Sequence, residues 1–164
     1  MEALWFESVW DYKTLKNNST TNDNKSAPLS LPFKGLYDCV VMWGKAYWKE
    51  YEVYTGQAPK TGVQQTYYKR NENIVVRVMG RMGGFAFEDG FPACRTALMD
   101  IRQFGCLRLG NSGAHFQGCS GLTGFSAKDA PDLTGVSTLA RTFQRASLFQ
   151  DAKLSVMTWL ARCT

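Results

Sequence analysis

The chain has few of the side chains that most enzymes and metal proteins use at their reactive sites. Its 164 residues include one histidine, His115, and five cysteines with no Cys-x-x-Cys pair. That spacing excludes the usual zinc motifs, so neither a metal nor a cofactor is predicted. No serine lies in a Gly-x-Ser-x-Gly motif, and the glycine-rich segment from Gly80 lacks the Lys-Ser/Thr ending of a phosphate loop.

Long apolar runs are also absent. No run approaches the roughly 18 residues that a membrane-spanning helix needs. The first residues, MEALWFESVWD, have neither the cationic start nor the apolar centre of a signal peptide. We therefore expect no membrane span, and we expect a protein that stays inside the cell unless the sequence lacks its leader.

The net charge is modest and unevenly distributed. It is +5 for the whole chain, with +4 in residues 91–164 and +1 in residues 1–90. Such an excess favours solubility, and in the second half it also suits an anionic partner.

The first half of the chain is rich in aromatic and β-branched residues, grouped in short runs between turn-forming residues. This pattern predicts antiparallel strands in a small sheet or sandwich. The predicted strands are residues 4–10, 29–33, 36–43, 48–54, 63–68, 73–79 and 85–87. Residues 14–27 are rich in Asn, Ser, Thr and Lys, which predicts a mobile polar loop.

The second half contains a motif that nearly repeats itself. Residues 109–120 (LGNSGAHFQGCS) align with residues 136–147 (VSTLARTFQRAS), and an incomplete third copy follows at an interval of 20–27 residues. Self-similarity of this kind predicts stacked units that bury a shared apolar face. We therefore expect Phe116, its counterpart Phe143 and Leu139 to line a buried ladder. His115 aligns with a threonine, which predicts a position that faces solvent.

Short helices that alternate with short strands are predicted inside these units. The predicted helices are residues 111–118, 136–146 and 155–162, preceded by one helical turn at 92–97. The predicted strands are residues 98–104, 122–127 and 148–154. Asp132 is a suitable cap for the second helix. Cys119 and Cys163 lie where related positions carry Ala146 and Phe143, which predicts small, buried, reduced thiols that pack as hydrophobic residues. A disulfide between one pair of the cysteines is the alternative.

The repeats resemble a known family. Residues 119–143 (CSGLTGFSAKDAPDLTGVSTLARTF) resemble the units of BspA-like leucine-rich repeat proteins of bacterial surfaces. Residues 100–113 (DIRQFGCLRLGNSG) are similar to the segment that leads into their first unit, with Phe104 where tryptophan is usual. The resemblance implies an adhesin-like binding role at the cell surface.

The resemblance extends into the first half. Residues 37–44 (YDCVVMWG) and 74–80 (IVVRVMG) resemble the PKD-type β-domain that often precedes these repeats. The family's Trp-Gly-Asp-Gly turn is replaced by residues 43–46 (WGKA), so properties that depend on this turn are not carried over.

Pattern and resemblance together predict an α+β protein with two regions. Residues 1–80 form a β-rich, sandwich-like, PKD-like region. Residues 81–164 form a short leucine-rich-repeat-like solenoid of strands and short helices, and the two regions could pack as one unit. The incomplete last repeat leaves one end of the stack uncovered, so self-association through residues 155–164 is expected.

The predicted function is non-catalytic binding of a protein or glycan. The candidate binding residues are four arginines and two sheet aromatics: Arg102, Arg108, Arg141, Arg145, Trp48 and Tyr51. Arg141 and Arg145 lie four residues apart on one predicted helix, so stacked units could align the arginines into a basic strip. The aromatics suit a sugar or protein ligand, although cross-strand packing explains them equally well.

Two other functions remain open. The acidic pairs Asp129/Asp132 and Glu88/Asp89 could serve a polysaccharide hydrolase. Shaping of turns and capping of backbone N–H groups accounts for the first pair without any catalysis. The basic strip could instead bind an anionic polymer or nucleic acid, although a solvated helix surface explains it as well.

Overall fold

Strands dominate the fold. The computed structural model describes residues 5–20, 26–44, 51–68, 72–88 and 90–150. These ranges contain seven strands and two short helices: β1 (Phe6–Trp10), α1 (Tyr12–Asn17), β2 (Ser26–Leu31), β3 (Phe33–Met42), β4 (Tyr51–Gln57), β5 (Val63–Tyr68), β6 (Ile74–Phe85), α2 (Pro92–Arg95) and β7 (Leu98–Gln103). Neither helix has the length and apolar character needed to cross a bilayer, and none other is present in these ranges.

The strands form two antiparallel sheets. Five strands pair in the order β4-β3-β6-β1-β7, and β2 pairs with β5. In β6, Ile74, Val76 and Val78 are buried, whereas the intervening Val75 and Arg77 are only half-buried. Because side chains alternate between the two faces of a strand, this pattern gives the five-stranded sheet an inner face and an outer face.

The strand that ends at Phe85 connects the two halves of the chain. β6 crosses the boundary predicted between residues 80 and 81, and β7 from the second half pairs with β1. A single hydrophobic core contains side chains of both halves, including Phe6, Phe85, Phe104 and Phe116. The two predicted regions therefore share one sheet and one core.

The predicted solenoid of strands and short helices is wrong. Residues 111–118 and 136–146 form turns, and residues 122–127 form no strand. The backbone N–H groups of Ala114, Phe116 and Gly118 donate to the carbonyls of Ala140, Thr142 and Gln144, at 2.7, 2.9 and 2.8 Å. Bonds between neighbouring segments thus replace the bonds of a helix. The helix predicted at 155–162 lies outside the described residues, as does the proposed self-association surface.

The alignment of the two repeats is nevertheless visible in the backbone. Ala114 and its counterpart Arg141 both have left-handed φ angles, 51° and 57°. Gly118 and its counterpart Arg145 do too, at 75° and 61°. The rings of Phe116 and Phe143 stack, with centroids 5.8 Å apart and planes 16° from parallel. The two segments therefore share one turn conformation.

Most of the strands predicted for the first half are present, and β5 has the predicted bounds. The polar loop predicted from residue 14 is wrong at its start, because α1 occupies residues 12–17. Asp11 caps this helix, with Oδ1 accepting from the Lys13 backbone at 3.0 Å and Oδ2 from the Thr14 hydroxyl at 2.6 Å. An N-terminal aspartate of this kind is a recognisable helix start.

Candidate recognition surface

An apolar patch lies on the outer face of the five-stranded sheet. In β3, Val40 pairs with Val53 of β4 and Met79 of β6, and Met42 pairs with Tyr51 of β4. Directly opposed residues share one face of a sheet, so these five side chains adjoin. Tyr51, Val53 and Met79 are 62%, 61% and 42% exposed. We call these five residues the outer patch.

The patch continues to the edge of the sheet. β4 is an end strand and pairs only with β3 among the described strands. An edge strand presents unpaired backbone groups, and proteins usually protect such edges with outward charges or proline. The seven residues of β4 include one charged side chain, Glu52, and no proline.

The carboxylate of Glu52 is directed toward the inner side of the sheet. Glu52 pairs with the buried Val41, and its carboxylate accepts from Trp43 Nε1 and Gln65 Nε2, each at 3.2 Å. It also accepts from the Tyr54 hydroxyl. Partial burial, followed by this hydrogen bond, raises the pKa of Tyr54 above its usual value. These bonds hold the only charge of β4 away from the outer patch.

The structure describes one of the two predicted aromatic binding residues. Tyr51 is an exposed member of the outer patch. Trp48 lies outside the described residues. Tyr54, the second tyrosine of β4, stacks on Tyr37 of the neighbouring strand at 5.9 Å, which is cross-strand packing.

The four predicted arginines do not form a strip on helices. Arg102 lies on β7 and contacts Glu7 at 3.7 Å, and Arg108 contacts Asp132 at 3.3 Å. Arg141 and Arg145 are exposed, but their left-handed backbone is incompatible with the predicted helix. The structure therefore removes the helix face on which the basic strip was based.

One of the two carboxylate pairs considered for hydrolysis, Asp129 and Asp132, holds loop backbone. In the other pair, Glu88 contacts Lys34 at 3.7 Å, and Asp89 lies outside the described residues. Asp129 accepts from the backbone N–H groups of Phe104 and Gly105, at 3.0 and 2.7 Å. Asp132 accepts from the Thr134 backbone at 2.8 Å. The Thr134 side chain, followed by this backbone bond and assisted by Arg108, lowers the pKa of the Asp132 carboxyl group. The backbone bond predicted for Asp132 is therefore present, although no helix follows it, whereas Asp129 holds a segment that is distant in the sequence.

Comparison with known proteins adds nothing to this geometry. No family model, curated protein or solved structure matches the chain. The outer patch is therefore argued from its own residues. Within the described ranges, no group of three His, Cys, Asp or Glu side chains is placed to hold a metal ion.

Four members of the outer patch were not predicted from the sequence: Val40, Met42, Val53 and Met79. A signal for them was present. The runs CVVM in β3 and IVVRVM in β6 place apolar residues on both faces of the sheet. A strand with one solvated face would alternate apolar and polar residues, so continuous apolar runs indicate that both faces make contacts.

Three of the four described cysteines, Cys39, Cys94 and Cys119, are buried, as predicted for Cys119, and all four are free thiols. Burial is the main reason that the pKa of Cys39 rises to about 11 and that the pKa of Cys119 is also raised. These thiols therefore stay protonated at neutral pH and pack as apolar side chains. Cys163 lies outside the described residues.

The prediction that His115 faces solvent is wrong. Its side chain is fully buried, and Nδ1 donates to the Phe85 carbonyl at 2.9 Å. Among the described residues, Nε2 has no hydrogen-bond partner. Burial lowers the pKa of His115, while the backbone of Phe85, the backbone of Thr138 and the Glu88 charge oppose that shift. The folded protein therefore favours neutral imidazole.

Acid is expected to weaken the fold through His115. Its pKa is lower in the folded chain than in the unfolded chain, so the unfolded state takes up the extra proton as pH falls. The stability contribution is complete above the unfolded pKa of about 6.5. Below that pH the free energy of unfolding should fall by up to about 1.4 kcal/mol per pH unit, until the folded state is protonated too.

Urea unfolding between about pH 5 and 7.5 measures this effect, since His115 is the group that changes charge there. The variant His115→Gln is the matched control, because it stays neutral and keeps a donor for the Phe85 carbonyl. Its free energy of unfolding should vary little over this range. An equal slope in both proteins would mean that His115 is not the titrating group.

Proposed function

We propose that this chain is a non-catalytic recognition module that holds an extended segment of a partner protein against β4. The observation that carries the proposal is the outer patch, which adjoins an edge strand whose only charge is directed inward. Apolar side chains beside an unprotected edge are the two components of strand addition. The backbone of the edge supplies affinity, and side chains at alternate positions supply specificity.

The BspA-like resemblance agrees with this proposal, because it implies an adhesin-like binding role. A glycan ligand is the other occupant that exposed aromatics would suit. The outer patch favours a peptide, since its exposed members include Val53 and Met79, which offer apolar area without a polar group for sugar hydroxyls. The hydrolase and anionic-polymer alternatives have no comparable group of side chains among the described residues.

The experiment is parallel binding of the full chain to a peptide array and a glycan array. We expect retention on peptides of about seven residues that alternate apolar and polar side chains, the length and period of β4. Val53→Lys should weaken this binding by roughly tenfold or more, since a buried valine contributes about 1.5–3 kcal/mol. Amide hydrogen exchange in β4 should slow when the best peptide is bound.

Leu148→Lys is the matched control. Leu148 is also an exposed apolar residue, at 57%, but it lies in a turn outside the five-stranded sheet. Its replacement should leave the affinity unchanged. Binding to glycans alone, or equal losses in the two lysine variants, would contradict recognition at β4.

A further inference from the structure

A pocket of about 320 Å³ lies between the two-stranded sheet and the segment that enters α2. Ligand sites in proteins occupy about 300–1,000 Å³ and are mostly apolar, with a few polar groups. This pocket is separate from the outer patch, because no residue of the patch lines it.

The wall formed by the α2 segment is held in place from several sides. Phe91 has a left-handed backbone, with φ 56°, and its ring packs edge-on against Phe87 at 6.3 Å. A Cβ atom on Gly62 would lie 2.8 Å from this ring, so glycine there leaves room for it. Cys94 Sγ accepts from the Ser30 backbone at 3.3 Å, which ties α2 to β2. The pocket is therefore preformed.

The chemistry of the lining is apolar with one cationic position. Phe91, Pro92 and Ala93 contribute apolar surface on one side, and Gln64 contributes an amide from β5. Lys60 is the only ionised side chain among the described residues that line the pocket. Burial raises the pKa of the Cys94 thiol, so that group contributes a neutral, apolar surface. An apolar cavity with a cation at one position suits an apolar molecule that carries one negative charge.

We propose that this pocket binds a small carboxylic acid with an apolar body, and that the carboxylate pairs with Lys60. The apolar body lies against Phe91 and Ala93, and the neutral polar groups of the lining remain available to the carboxylate. This site is independent of the proposed function at β4. A recognition module that held such an acid would carry two binding sites.

The test is calorimetric titration of the full chain with sodium octanoate. We expect saturable binding of one octanoate per chain. 1-Octanol, which lacks the charge, and acetate, which lacks the apolar hydrocarbon chain, should both bind more weakly. Lys60→Gln should weaken octanoate about tenfold, the effect of losing one charge-assisted hydrogen bond, and should leave octanol unchanged. Lys13→Gln, at an exposed position of α1, is the matched control and should bind as the original chain does.

Two further variants test the location of the site. Ala93→Trp fills the pocket from α2, and Gln64→Trp fills it from the exposed face of β5. Each variant that folds should bind neither octanoate nor octanol. Octanoate binding that does not saturate, that equals octanol binding, or that survives a folded tryptophan variant would overturn the proposal.

Discussion

Replacing Phe85 by alanine is expected to lower the free energy of unfolding by about 3–5 kcal/mol. The side chain is fully buried at the end of β6. Its ring contacts the rings of Phe6, Phe33 and Phe87, with centroid distances of 5.6, 6.2 and 5.6 Å. It also contacts the ring of Phe116 in the turn segments, at 6.1 Å. The cavity would therefore open where the two halves of the chain meet.

Urea unfolding followed by circular dichroism and by tryptophan fluorescence measures this loss. Because the core is shared, we expect one transition that moves to lower urea in both signals. Phe149→Ala is the control, since Phe149 is only half-buried and its ring contacts are with Phe125 and Phe143. Phe149→Ala should lower the free energy of unfolding by less than Phe85→Ala does. Two transitions, of which only one responds to Phe85→Ala, would show that the two regions unfold independently.

Gly80→Ala is expected to destabilise the fold by about 3 kcal/mol or more, from backbone strain and overpacking together. Gly80 has φ 120° in the middle of β6, a region that L residues rarely adopt. A Cβ atom there would lie 2.4 Å from the Asp38 carbonyl oxygen and 2.8 Å from Cys39 Cα. Both contacts are with the backbone of β3, so relief requires the β3–β6 pairing to shift.

Gly56→Ala provides the comparison. Gly56 also has a positive φ, 96°, but an added Cβ atom would meet nothing within 4 Å. Gly56→Ala should therefore lower the free energy of unfolding only through backbone strain, by about 1–2 kcal/mol. Chemical unfolding of the two variants side by side separates strain from collision. If the two variants lost the same free energy of unfolding, β3 would have to accommodate the methyl group of Gly80→Ala without a collision.

The strands were predictable because their sequences satisfy local preference and burial at the same time. The run VQQTYY was assigned to residues 63–68, and the structure has β5 there. β-Branched and aromatic residues favour extended backbone, and turn formers limit the run at both ends. The order of the strands was beyond this reasoning, since nothing in β1 indicates that its neighbours are β6 and β7.

The helices of the second half were predicted from the same local preferences, but those at residues 111–118 and 136–146 do not form. Tertiary hydrogen bonds determine the backbone conformation of these residues in place of helix propensity. Residues 136–146 contain Leu139, Ala140 and Arg141, which are good helix formers. Instead of continuing a helix, the carbonyls of Ala140, Thr142 and Gln144 accept from the backbone of residues 114–118. The contact predicted between the repeated phenylalanines is present, since Phe116 and Phe143 stack, although Phe143 is only half-buried. The periodic apolar positions did not determine the backbone conformation between them.

His115 shows how a correct alignment led to a wrong environment. Its counterpart Thr142 was taken as evidence of a solvent-facing position. Thr142 is itself buried, and its hydroxyl donates to the Leu139 carbonyl at 2.7 Å. A threonine can satisfy its hydroxyl inside a turn, so its polarity says little about exposure. The outer patch was partly predictable through Tyr51, and its other members required the strand register.

The position of β1 within the large sheet has a consequence for biosynthesis. Phe6 pairs with Val78, and Glu7 pairs with Gln103 on the other side. β1 is therefore translated well before β6 and β7, the two strands with which it pairs. A nascent chain would expose apolar Phe6 and Trp10 throughout that interval, so folding should be slow and should depend on chaperone protection during translation.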